Sequence, residues 1–197
     1  MTDFWLYFNI GLRHVLDFNG YDHVLFLLVL TVPYAFKDWR NVLVLATLFT
    51  VGHTASLMLS VYGVVTIKSE FVEFLIPITI LLTALYNIFA ASKKAAAKSG
   101  NINFLAITTL FFGIIHGLGF SNYFKILIMG SGGSKLAPLL EFALGIEAAQ
   151  LIVVLVTLIL AFVAQGFLRV QKRDWILVLS AFVAGVTVPM IIGNQIW

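Results

Sequence analysis

The chain has 197 residues, of which 61% are hydrophobic and 11% charged, with a formal net charge of +3. Soluble domains carry about 25% charged residues, so the composition excludes an ordinary soluble domain and predicts an all-α, polytopic membrane helix bundle forming a single transmembrane domain over residues 1–197. Cysteine is absent, which excludes disulfides and thiolate ligands. The basic excess reads as membrane topology rather than nucleic-acid binding.

The first residues, MTDFWLYFNI, lack a basic region and a small-residue cleavage site, so no secretory signal is predicted. Residues 4–17 form a short apolar stretch containing Arg13, His14 and Asp17. We read it as a helix in the outer interface or re-entering the membrane. The Asn-Gly breaker at 19–20 then leads into the first span.

A membrane-spanning helix needs about 20 apolar residues. Six segments qualify, at about 21–36, 41–62, 70–91, 103–128, 139–165 and 174–193, the first of them short. Gly130 to Ser134 reads as a flexible loop, and no internal repeat is evident. Three connections hold eight of the twelve basic residues: Lys37 and Arg40; Lys93, Lys94 and Lys98; Arg169, Lys172 and Arg173. They alternate with poorer loops, so the positive-inside rule places them in the cytoplasm and both termini outside. Trp5 and Trp197 are expected at the interface, and membrane lipid is the expected surroundings.

The chain has four histidines, His14, His23, His53 and His116, all in or beside these spans. Ionisable groups within a membrane are costly and mark function by default, and neutral imidazole is the commonest metal ligand. Asp22 adjoins His23; on a helix the two side chains point about 100° apart, so one is a ligand and the other a proton-accepting partner. Thr50, His53 and Thr54 share one helical face. His116 lies among Gly113, Gly117 and Gly119. Glu147 and Gln150 share a face about two turns into the fifth span. In the predicted topology these groups come to one level, the outer half of the bilayer. Three or four imidazoles with Asp22 and Glu147 make a site for zinc, nickel or cobalt. Each has a plainer reading: Asp22 as a helix cap, His53 or His116 in one interhelical hydrogen bond, Glu147 neutral against a neighbour. Glu70 and Glu73 suit a helix start, and Asn87 either packs helices or lines an exit path. The eighteen phenylalanines read as core and lipid contact.

At these residues the sequence resembles the HupE/UreJ family of bacterial membrane proteins. The strings are Gly11-Leu-Arg-His14, Gly20-Tyr-Asp-His-Val-Leu-Phe-Leu-Leu28, Leu48-Phe-Thr-Val-Gly-His-Thr-Ala-Ser-Leu57, Val72-Glu-Phe-Leu-Ile76, His116-Gly-Leu-Gly-Phe120 and Phe142-Ala-Leu-Gly-Ile-Glu-Ala-Ala-Gln150. The resemblance implies a secondary permease for nickel or cobalt in the bacterial inner membrane, with His14, Asp22, His23, His53, His116 and Glu147 carrying the function. Two other classes fit the same residues. Three histidines, a carboxylate and an open position also describe catalytic zinc; such a membrane hydrolase, acting on a lipid or amide, would use Asp22 or Glu147 as general base and Ser121 toward an oxyanion. The third is a homo-oligomer or a subunit of a larger complex, with a structural metal.

Overall fold

The structure is a computed structural model that describes residues 4–17, 20–92, 102–128 and 135–194. Among these there are seven α-helices and no strand: α1 (Phe4–Leu16), α2 (Asp22–Thr31), α3 (Trp39–Val61), α4 (Ser69–Ser92), α5 (Ile102–Ile128), α6 (Leu136–Gly166) and α7 (Lys172–Gly193). A 3-10 turn, Phe36–Asp38, leads into α3. The last five helices are long and apolar enough to cross a membrane. Lys93, Lys94, Lys98, the Gly130–Ser134 loop and Trp197 lie outside the described residues.

Helix directions follow from which residues meet. A side chain at Gly113 would overlap the Phe49 carbonyl, and one at Gly117 the His53 carbonyl, so α3 and α5 advance together and are parallel. Phe142 of α6 faces His53, whereas Glu147 reaches Thr50 and Thr47, so α6 opposes α3. Asn122 of α5 bonds Ser69, while Gly119 lies against Ile76, so α4 opposes α5. Asn194 reaches Glu73, which sets α7 against α4. Tyr7 meets Phe124 and His14 meets Phe120, so α1 opposes α5 and runs parallel to α6. Asp22 lies near Glu73 and Pro77, and Asn87 bonds Val29, so α2 runs parallel to α4.

It follows that α1 and α2 run the same way. They hold 13 and 10 residues, roughly 35 Å of rise together, enough to cross a hydrocarbon core of about 30 Å that neither crosses alone. The two short helices together therefore have the length of one interrupted span. Of the two placements expected for residues 4–16, lying in the interface or re-entering, only the second is compatible with a helix that stands along α6. The reason is a close backbone approach. Tyr7, Gly11 and Val15 form the buried stripe of α1, and a Cβ on Gly11 would overlap the Phe142 carbonyl, as one on Gly145 would overlap that of Phe8. Small residues let membrane helices close to this distance.

The same contact joins α3 to α5, where Gly52 meets the Leu110 carbonyl and Gly113 that of Phe49. The motif is local and fourfold: Phe8-x-x-Gly11, Phe49-x-x-Gly52, Leu110-x-x-Gly113 and Phe142-x-x-Gly145. Two parallel pairs, α1 with α6 and α3 with α5, are thus inverted relative to one another, an arrangement of the kind seen in transporters built from inverted repeats. Only this four-residue pattern recurs at the contacts.

Two side-chain amides brace the remaining helices. Proline has no N–H, so Pro33 leaves the Val29 carbonyl without its helical donor, and Pro77 does the same to Glu73. Asn87 donates to Val29 (2.7 Å) and Asn194 to Glu73 (3.2 Å). Asn87 is therefore buried as a cap on α2, the helix-packing alternative of the two its position allowed.

Candidate metal centre

Each paired glycine is followed within three residues by a polar group: His14, His53, His116 and Glu147. The close approach that fixes the helices thus fixes these side chains, one on each of α1, α3, α5 and α6. The fifth and sixth groups, Asp22 and His23, open α2 just after the interruption.

The imidazoles converge. Ring centroids lie 4.6 Å apart for His14 and His23, 5.8 Å for His14 and His53, 5.8 Å for His23 and His53, and 5.2 Å for His23 and His116. His14, His23 and His53 each offer one ligand atom, all within 4.8 Å of one another. Zinc–nitrogen bonds of ~2.0–2.1 Å put tetrahedral ligands about 3.4 Å apart, so an ion would need these nitrogens to close by roughly an ångström, within reach of side-chain rotation.

Hydrogen bonding decides which nitrogens are free. His116 Nδ1 lies 2.8 Å from the Phe112 carbonyl. A carbonyl only accepts, so Nδ1 carries the proton and Nε2 keeps its lone pair. His23 Nδ1 lies 3.1 Å from Asp22 Oδ1, which also accepts the His23 backbone N–H at 2.9 Å. The carboxylate holds the proton on Nδ1 and again frees Nε2, as a carboxylate does behind a ligating histidine. Nε2 of His14, His23 and His116 and both nitrogens of His53 are buried without a partner. A buried polar group left unpaired costs about 1–3 kcal/mol, and several meeting at one point is the pattern an ion would satisfy.

The surroundings are aromatic. The His14 ring lies 3.9 Å from Phe120, His116 is 5.0 Å from Phe49 and 5.5 Å from Phe26, and His53 is 6.2 Å from Phe142. These four phenylalanines form a dry wall around the imidazoles. Composition alone could not separate them from lipid-facing ones such as Phe89 and Phe111, which are exposed.

Glu147 is placed differently from the histidines. Its oxygens accept from Thr47 Oγ1 (2.6 Å) and from Thr50 Oγ1, so the carboxylate ties α6 to α3 beside the cluster. Further along α6, Gln150 is fully buried with neither amide atom partnered, and Thr31 and Ser180 are buried with free hydroxyls. Ser121 is buried and donates to the Leu118 carbonyl at 2.7 Å. Asp22 retains 21% side-chain exposure against 2% for His23.

No curated protein and no solved structure matches the chain. Among protein families, the one described as HupE / UreJ protein matches residues 1–193. The match takes in all of the helices and all of the polar groups above, and on that ground this membrane protein belongs to the HupE/UreJ family.

Proposed function

We propose that the chain is a secondary permease for a divalent transition metal ion, nickel or cobalt first and zinc next, with the histidine cluster as its transport site. The single observation behind this reading is the convergence of four imidazoles, three of them fully buried, with unpartnered nitrogens on a cysteine-free, carboxylate-backed site. The family is associated with nickel and cobalt transport, and nitrogen–oxygen donors suit those metals.

A transport site must release what it binds. Three or four imidazoles and one carboxylate not fully enclosed make a competent but incomplete cage. Protons compete with the ion for the same nitrogens, which makes a proton gradient a usable driving force. The connections carrying Lys37, Arg40, Arg169, Lys172 and Arg173 lie at one end of the bundle, and the positive-inside rule assigns that end to the cytoplasm. Both termini then face outward, and the ion moves from the cluster past Glu147 and Gln150 toward the basic end.

The hydrolase alternative is weaker here, because the Ser121 proton it would spend on an oxyanion is already donated to Leu118. The deciding experiment is uptake of radiolabelled nickel(II) or cobalt(II) by cells expressing the chain. We expect uptake above background that disappears in His23→Ala at equal membrane abundance. Equal uptake by His23→Ala and the unaltered chain would refute the assignment.

A further inference from the structure

A cavity of about 340 Å³ opens between the start of α2, α4 and the end of α7, lined among others by Gly20, Asp22, Glu73, Pro77 and Gly193. Six waters at ~30 Å³ each occupy roughly 200 Å³, so a hydrated divalent cation fits. Asp22 belongs to both compartments: it lines the cavity, and its Oδ1 holds His23. Behind it, His23, His53 and His116 are closed off by the phenylalanine wall. Glu73 is exposed and lines the same cavity.

Resting on the permease reading, we infer that this cavity is the entry port of the transport site, in which Glu73 attracts the hydrated cation and Asp22 hands it to His23. A cleft lined by one sign of charge raises cation concentration and on-rate by ~10-fold or more. Asp22 offers a stepwise exchange of water for protein ligands at the boundary between a wet space and a dry one. The inference gives Glu73 a kinetic role that its position at a helix start does not suggest.

The chain lacks cysteine, so a single introduced thiol is unique. A Cβ on Gly193 or on Gly20 meets nothing within 4 Å, so Gly193→Cys and Gly20→Cys are expected to fold. Gly166→Cys, an exposed position at the opposite end of the bundle where a Cβ also meets nothing within 4 Å, is the control. The full-length purified variants are labelled with a bulky hydrophilic thiol reagent, and cobalt(II) binding is followed by its absorption spectrum. We expect labelling at 193 or 20 to slow cobalt(II) loading by an order of magnitude, and labelling at 166 to leave it unchanged. Glu73→Gln should slow loading several-fold at low salt and not at high salt. Unchanged loading after complete labelling at both 193 and 20, or thiols there that do not react, would overturn the port while leaving the permease reading intact. Cobalt(II) loading that depends on the port in a chain that takes up no metal in cells would do the reverse. A chain that binds no cobalt(II), nickel(II) or zinc(II) would remove both.

Discussion

The two glycine-joined pairs use one backbone contact for different ends. In α3 and α5 it joins two continuous spans of 23 and 27 residues and sets His53 and His116. In α1 and α6 it fastens a helix of only 13 residues to one of 31, and sets His14 and Glu147. The first pair is scaffold as well as site. The second holds a short helix upright so that the chain can break and restart with Asp22 and His23. The lesson is that close packing fixes where ligands sit, and an interruption decides where water can meet them.

The largest difference between the pairs should appear on filling the glycine contact. Gly113→Val forces a side chain into the Phe49 carbonyl and should lower the melting temperature in detergent severely, in the range of losses above about 4 kcal/mol that single substitutions rarely reach. Gly11→Val should leave a folded bundle with weakened metal binding, because α1 alone is displaced. Equal melting temperatures for the two would end the distinction. Next, His53→Ala should abolish stoichiometric cobalt(II) or nickel(II) binding by isothermal calorimetry, and His14→Ala should weaken it at equal fold, since both reach the same point from different pairs. A smaller effect is expected for Asp22→Asn, which removes the carboxylate behind His23; support of this kind is typically worth 10–100-fold in affinity, about 1.4–2.7 kcal/mol. Acidification should weaken binding reversibly, because imidazole must be unprotonated to ligate. The smallest effect belongs to Thr47→Val, which removes one of two hydroxyls from Glu147 at an exposed position and should cost about 0.5–1.5 kcal/mol of stability, with metal affinity little changed.

Much of this was legible in the sequence. Apolar runs gave the long helices, and basic connections gave an alternation that the helix directions follow. The four histidines were identifiable because imidazole is so rarely spent inside an apolar span. Other features needed coordinates for definite reasons. The apolar stretches at 4–17 and 21–36 were both visible, but that they run the same way was not, because hydropathy scores each piece by itself. The glycine contacts escaped because their pattern, phenylalanine or leucine three residues before glycine, is short, and both residue types are common in membrane helices. Phe120 and Phe142 carry no mark separating them from phenylalanines that face lipid. Asn87 was ambiguous because its purpose lies in a proline on another helix, Pro33, which a linear reading does not connect with it.

The two asparagine caps have a mechanical consequence. Helix α4 is clamped near both ends, to α2 through Asn87 and to α7 through Asn194. The glycine pairs are knit separately, backbone against backbone. Between these two modes of attachment runs a seam, bridged by the hydrogen bond from Asn122 to Ser69 and bordered by α2, whose Asp22 holds His23. In the proposed permease, walls that part along this seam would leave both asparagine caps and all four glycine contacts whole.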